Sequence, residues 1–169
     1  MELAFTISQH AINTDSFFHL LAGIQEDQYN WRPAPDKWNL KEVLYHLRDE
    51  EREDFRPRMQ SVLEDPNKPF NPIDPAKWVK SRKYAKKDYY KALSSFIHQR
   101  HISLEWLKSL EDPDLTKAYQ HEKLGSLSAM LLLENWAVHD LLHIRQIVNL
   151  KLEYLKHVAS EPLDYAGGE

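Results

Sequence analysis

The sequence contains no cysteine, and this absence limits the chemistry that the chain can perform. Without thiols the protein cannot form disulfides, use its own thiolate nucleophile or build a cysteine-ligated zinc finger or ribbon. Any metal ion must therefore be held by histidine, aspartate or glutamate. The lack of cysteine is also compatible with a reducing compartment.

The chain also lacks an excess of positive charge, a long apolar run and a secretory-type N-terminus. Its formal net charge is -4, so it has no basic surface of the kind that nucleic-acid binding requires. Its apolar stretches fall far short of the roughly 18 residues that span a membrane, and the first residues lack a basic start and an apolar core. We expect no nucleic-acid partner, no membrane association and a cytoplasmic location.

Glycine is scarce, with four residues in 169, and the apolar residues recur at three- and four-residue spacing instead of alternating. This pattern predicts four long helices, at about residues 3–23, 40–64, 85–110 and 127–151. A hydrophobic content of 42% is enough for a buried core. We therefore expect one all-α domain over residues 1–159, a four-helix bundle, followed by a loose tail over residues 160–169.

Prolines predict where the helices break. The segment Trp31–Pro35 cannot continue a helix, and Pro57 should bend the second helix or interrupt its hydrogen bonds. Four prolines within ten residues predict that 65–83 is a long irregular crossover between the second and third helices. Asn39 followed by Glu42 has the signature of a capping box, which marks the start of the second helix.

The fourth helix is apolar nearly all round, which predicts burial on several sides and a partner subunit, as in a homodimer. It also carries His139 and His143, which are four residues apart and therefore project from one face, one turn apart. Two such imidazoles can share one ion. His46, near the apolar side of the second helix, is placed to supply a third imidazole.

Histidine spacing alone is weak support for a metal site, because most such pairs are incidental or are hydrogen-bonded core residues. The segment from His139 to His143 also has the H-x-x-x-H frame of a zinc protease helix, but Asp140 replaces the general-base glutamate and is one methylene shorter. Asp140 is equally free to face solvent or a neighbouring arginine. We assign surface or packing roles to the other six histidines, His10, His19, His98, His101, His121 and His157.

The charged run Arg48–Asp54 is interpreted mostly as a solvated helix face, in which only Glu50 has the phase to approach the histidines. Gln146 lies one turn beyond His143. Glu50 and Gln146 are therefore candidates to orient a ligand or substrate, although ordinary packing or solvated roles suit them equally well. No catalytic residue is assigned.

Two separated motifs, in order, carry more information than spacing does. The first comprises Trp31-Arg32-Pro33 and the stretch KWNLKEVLYHLRDE over residues 37–50, and the second is HDLLHIRQI over residues 139–147. Together they resemble the DinB-like (YfiT/DinB) family, over about residues 5–150. The resemblance implies a four-helix bundle, frequent homodimers and metal binding, commonly of nickel or zinc, by His46, His139 and His143.

The resemblance also implies a range of activities. It includes S-transferases and isomerases that use small thiols such as bacillithiol or mycothiol, and many members have no assigned activity. An iron-binding branch carries a carboxylate in its last motif; Arg145 does not match that variant, so oxygenase chemistry is not carried over.

Several functions therefore stay open. A bound ion would activate a low-molecular-weight thiol for S-transfer or a water for hydrolysis of a small-molecule substrate. Alternatively, the protein is a non-catalytic, stress-associated metal-binding module, or its histidines hold structure without metal. An enzyme should have a pocket beside the metal, formed partly by residues 65–83, whereas a fourth protein ligand would close a structural site.

Overall fold

The computed structural model describes residues 2–163 and 165, and these residues fold into helices and one short hairpin. The elements are α1 Leu3–Leu21, α2 Glu26–Asn30, α3 Leu40–Glu50, a π-helical segment Glu51–Phe55, α4 Arg56–Glu64, α5 Pro75–Ser81, a 3-10 turn Tyr84–Lys86, α6 Tyr89–Lys108, β1 Ala118–His121, β2 Gly125–Ser128 and α7 Ala129–Val158. The hairpin is antiparallel, with Ala118 opposite Ser128.

The four-helix bundle is confirmed, and it consists of α1, the continuous rod α3–π–α4, α6 and α7. Two apolar core clusters lie at different levels along it. The first contains Phe17, Leu44, Phe96 and Ile147, and the second contains Met59, Leu107, Leu133 and Trp136. Helices α1 and α7 run from the second cluster to the first, whereas the rod and α6 run from the first to the second.

The helix directions explain the lengths of the connections. Because the rod and α6 run the same way, the chain must return along the bundle between them, and this requires a long crossover. The predicted position of the crossover is therefore confirmed, but the prediction that it is irregular is wrong, because it contains a helix. Pro75 starts α5, where a proline costs no hydrogen bond, and Asp74 caps that helix by accepting from the Lys77 N–H. Trp78 and Tyr84 are buried in the first core cluster.

The predicted helix starts and ends are mostly confirmed. The Asn39 side chain accepts a hydrogen bond from the Glu42 N–H, and the Glu42 carboxylate accepts one from the Asn39 N–H, so the capping box is present. Gly23, with φ at 73°, follows α1. The last helix continues to Val158 instead of ending near residue 151, since no glycine or proline interrupts it. A β-hairpin leads into it, so residues 127 and 128, predicted as helical, belong to a strand.

Pro57 interrupts the rod as expected, although the chain stays helical. Proline has no N–H to donate to the preceding turn, and the residues just before it widen into the π-helical segment. The segment begins at Glu51, one of the buried acidic residues described below.

None of the described helices has the length and apolarity needed to cross a bilayer. The location of the protein and the absence of a nucleic-acid partner stay predictions, as does the domain boundary at residue 159. Residues 160–163 of the predicted tail are exposed and follow the end of α7. Asp164 and residues 166–169 lie outside the described residues.

Candidate metal centre

Two helices bring the three predicted histidines together. His46 lies on α3, while His139 and His143 lie one turn apart on α7. The His143 Nε2 atom is 3.2 Å from His46 Nε2 and 3.0 Å from His139 Nε2. Three imidazole nitrogens therefore face one point between the rod and α7.

Glu50 was predicted to orient a ligand or substrate, but its carboxylate directly contacts two of these histidines. Its Oε2 atom lies 2.6 Å from His139 Nε2 and 3.3 Å from His46 Nε2. Ligand atoms of the four residues all lie within 4.8 Å of one another, and no other such group occurs within residues 2–163 and 165. We call His46, Glu50, His139 and His143 the donor cluster.

Hydrogen bonding and burial keep lone pairs available in the donor cluster. The His143 Nδ1 atom is 2.8 Å from the Gln146 Oε1 atom, an acceptor, so the ring proton belongs on Nδ1 and the Nε2 lone pair faces the cluster. Burial and the neighbouring histidines lower the pKa of His143 to about 4, and burial also lowers the pKa of His46. His143 is therefore neutral at pH 7.

Glu50 is the anionic member of the donor cluster. Burial acts to raise its pKa, but the hydrogen bond with His139 and the electrostatic interactions with the neighbouring imidazoles hold the pKa below its usual value. The carboxylate is therefore ionised at neutral pH although its side chain is only 8% exposed.

These donors fit a small divalent cation. Donors that lie about 2.1 Å from an ion at tetrahedral angles are roughly 3.4 Å apart. Three donor separations, His143 from His46, His143 from His139 and His46 from Glu50, are close to this at 3.0–3.3 Å, whereas Glu50 and His139 lie at the shorter hydrogen-bond distance of 2.6 Å. Facing lone pairs and a buried carboxylate repel one another unless a proton or a cation lies between them. Gln146 fixes the orientation of one donor, as metal-binding imidazoles usually require.

Aromatic rings border the donor cluster. The ring of Trp38 is 4.9 Å from that of His46, and the ring of Phe55 is 4.9 Å from that of His139. Trp38 packs against the first core cluster and also lines a cleft of about 440 Å³. Gln146 and Arg145 line the same cleft, whereas none of the four donor residues lines it.

The crossover does not form the expected pocket beside the donor cluster. Residues 68–71 line a cleft of about 150 Å³ together with residues of the rod, including Arg58, but none of the four donor residues lines it. The pairing of Phe70 with Tyr119 directs this part of the crossover toward the hairpin. The cleft next to Gln146 is the better candidate for a small molecule, because Trp38 and Gln146 line it and also contact His46 and His143.

A buried ion-pair group that the sequence did not reveal lies behind the donor cluster. Arg100 of α6 donates to both carboxylate oxygens of Asp140, at 2.5 and 2.7 Å, and lies 2.9 Å from Glu51 Oε2. Asp140 is also 3.1 Å from His10 Nδ1. Asp140 therefore faces a neighbouring arginine, not solvent. His10, placed among six surface or packing histidines, is buried in this polar group.

The interpretation of Arg48–Asp54 as a solvated face is wrong for its central acids. Asp49 is fully buried and accepts from Arg82 at 2.5 Å and from the Tyr84 hydroxyl at 2.6 Å. Glu51 is buried with Arg100, and its Oε2 accepts from Trp136 Nε1 at 3.1 Å. Sequence reasoning identified Glu50 but not Asp49 and Glu51, because helical periodicity predicts one buried face whereas α3 is buried nearly all round.

The fold and the donor cluster define a helical bundle with a buried site of three histidines and a carboxylate. The model of the DinB superfamily matches residues 9–147 of the chain. The protein belongs to the DinB superfamily, as its motifs predicted.

Two relatives agree with this assignment. The chain is 25% identical over 114 residues to a putative metal-dependent hydrolase from Oceanobacillus iheyensis, across 67% of this chain and 64% of that protein. It is also similar in structure to YfiT from Bacillus subtilis, described as a probable metal-dependent hydrolase with an unusual four-helix bundle topology. That likeness has a TM-score of 0.79 at 16% identity and covers 90% of this chain and 87% of YfiT.

Asp54 adds a titratable group one turn beyond Glu50 on the rod. Its side chain is 13% exposed and lies 2.9 Å from Arg58. Burial raises the pKa of Asp54 to about 6, and the Glu50 charge acts in the same direction while Arg58 opposes both. The folded protein therefore binds this proton more tightly than the unfolded chain does.

We predict that Asp54 makes the metal-free protein less stable as the pH rises from about 4 to about 6. The pKa of Asp54 is higher in the folded protein than in the unfolded chain, so protonated Asp54 favours the folded state. This contribution to the free energy of unfolding is fully present at low pH and is lost as the pH rises through 6, and the total loss is at most about 3 kcal/mol. Urea unfolding at several pH values should show this loss in the wild type relative to D54N. The exposed variant D36N should retain the wild-type slope, and equal slopes for D54N and the wild type would refute the assignment.

Proposed function

We propose that the protein is a metal-dependent hydrolase in which His46, His139 and His143 hold one divalent ion. The observation that carries the proposal is the convergence of three imidazole Nε2 atoms on an ionised buried carboxylate. The family membership and the name of the Oceanobacillus relative support the same class of activity.

In this proposal the histidines, Glu50 and Gln146 have different chemical roles. A divalent ion held by three imidazoles is a Lewis acid that lowers the pKa of a bound water. Glu50 Oε2 is buried and ionised beside His139, so it can accept the proton that the attacking nucleophile loses. Gln146 keeps the His143 proton on Nδ1 and so keeps Nε2 available.

The cleft beside Gln146 suits the non-reacting part of a small-molecule substrate. Trp38 and Leu142 give it apolar walls, and its charged lining residues, Lys37, Arg145 and Glu153, leave one net positive charge. We therefore favour a substrate with an apolar body and an anionic group. Nickel and zinc both suit imidazole ligands, so the choice between them stays a prediction. The use of a low-molecular-weight thiol also stays a prediction, as does a cytoplasmic location.

We predict that H46A, H139A and H143A each lose most of the metal that the purified wild type carries. Each variant removes one of three ligands, and the two that remain hold a divalent ion weakly. Elemental analysis of freshly purified proteins gives the metal content. H101A, which removes an exposed histidine of α6, is the control and should keep the metal. Wild-type metal content in all three variants would exclude the histidine site.

We predict that E50Q keeps its metal and loses hydrolysis by roughly 100-fold or more in kcat, since glutamine cannot accept the proton. Steady-state assays on ester and amide substrates, with and without added thiols, measure this loss. Wild-type hydrolysis should need no thiol, and conjugation of a thiol to monochlorobimane as the only activity would contradict the proposal. Loss of metal from E50Q would make Glu50 a fourth ligand and favour a non-catalytic module.

The outer face of α7 supports a homodimer. Positions on this face follow one another at alternating steps of three and four residues, as in a coiled coil. Six of these positions carry apolar side chains that are each more than a third exposed. This apolar stripe comprises Leu131, Val138, Leu141, Val148, Leu152 and Leu155. Glu134 and Arg145 complete the same series. If two copies of α7 pack antiparallel about the point between His139 and Asp140, Glu134 of one copy lies opposite Arg145 of the other.

This arrangement predicts a charge-reversal experiment. E134R and R145E should each weaken the dimer at least about tenfold, because each places like charges opposite one another, and the double variant should recover affinity. Sedimentation velocity over a dilution series measures the dissociation constants. A monomeric wild type, or a double variant as weak as the single ones, would refute this interface.

A further inference from the structure

The donor cluster and the buried ion-pair group are linked at two places in the chain. At each place one residue belongs to the donor cluster and the next residue belongs to the ion-pair group. In the rod, Glu50 faces the histidines and Glu51 faces Arg100. On α7, His139 faces Glu50 and Asp140 faces Arg100. Glu50 and His139 are in direct contact in the donor cluster. The next residue in the chain after each of them, Glu51 and Asp140, binds the Arg100 guanidinium.

The contacts of Arg100 are specific in geometry. Its two terminal nitrogens form a fork on the Asp140 carboxylate, and one of them also lies 2.9 Å from Glu51 Oε2. Arg100 is about 1% exposed, and Asp140 and Glu51 are equally enclosed. Trp136 donates to Glu51, and Asn13 Nδ2 donates to Asp140 at 3.3 Å, so each carboxylate has a further partner.

We propose that Arg100 is a positioning residue of the metal centre, which sets the separation of Glu50 and His139 by holding Glu51 and Asp140 from behind. This inference rests on the proposed function. Arg100 touches none of the four donors; it acts through the two peptide bonds that join Glu50 to Glu51 and His139 to Asp140.

The planar guanidinium suits this role better than a point charge does. It presents donors in a fixed plane, so two carboxylates bound to it keep a defined distance and angle. The carboxylates lie on the rod and on α7, the two elements that carry the donors. A change in this bridge would therefore shift the two halves of the donor cluster relative to one another.

The test compares R100K with R56K in the full-length protein. Lysine keeps the charge of Arg100 but loses the fork. Arg56 is the matched control, because it is a partly buried arginine that joins α4 to α6 through Gln99 and Ser103, and lysine keeps the charge that it presents to Glu51. Competition with a chromophoric chelator gives the zinc and nickel affinities, the visible absorption of the cobalt-loaded protein gives the ligand geometry, and thermal unfolding gives the loss of stability.

We expect R100K to bind zinc and nickel 10- to 100-fold more weakly and to change the cobalt spectrum, as when groups that orient metal ligands are altered. R56K should stay within about twofold of the wild-type affinity and keep the wild-type spectrum, even if it lowers the melting temperature equally. Wild-type affinity and spectrum in R100K would overturn the inference, and so would equal weakening in both variants.

A second variant covers the case in which R100K does not fold. E51Q keeps the Arg100–Asp140 fork and the shape of the side chain, and it removes the charge that ties the rod to Arg100. It should also weaken metal binding about tenfold and alter the spectrum, and unchanged values would overturn the inference. If the wild type binds no metal, the proposed function fails; if it binds metal and these variants bind equally well, only the positioning role fails.

Discussion

The pairing of the Arg100 guanidinium with Asp140 and Glu51, enclosed at the centre of the bundle, is the interaction on which the remaining structure depends. A guanidinium stays charged inside a protein, so every arrangement of the helices must supply it with anionic partners. Removing one partner of a buried pair typically costs about 3–5 kcal/mol, because the other charge is left unpaired. α1, the rod, α6 and α7 all contribute to this group, so their relative rotation is restricted.

The ion-pair group and the donor cluster together form a polar level between the two apolar core clusters. Phe96 and Ile147 belong to the cluster on one side of this level, and Met59 and Leu133 belong to the cluster on the other. Apolar contacts alone tolerate small rotations and shifts of helices, whereas hydrogen-bonded charges do not. The donor residues lie on long helices, and the ion-pair group fixes how these helices are placed relative to one another at the level of the site. Such a fixed arrangement suits a preorganised centre.

The rod serves several partners around the junction of α3 with the π-helical segment, because the chain is buried on several sides there. Asp49, Glu50 and Glu51 are consecutive and all buried, yet each faces a different group, namely Arg82 with Tyr84, the histidines, and Arg100. α3 is enclosed nearly all round, since ten of its eleven residues are buried, including Asp49 and Glu50. The π-helical segment ahead of Pro57 follows directly and begins with the buried Glu51. Such segments are frequent at functional sites.

The sequence by itself determined the helical class, the capping box at Asn39, the long crossover and the convergence of His46, His139 and His143, because each follows from local spacing, local hydrogen bonding or a motif. It did not determine that α5 orders the crossover or that Glu50 joins the donors. Nor did it show that Arg100, Asp140 and Glu51 bury their charges together. Those features depend on contacts between residues about 40 to 90 positions apart, and only the packing of the four helices decides which buried charges meet.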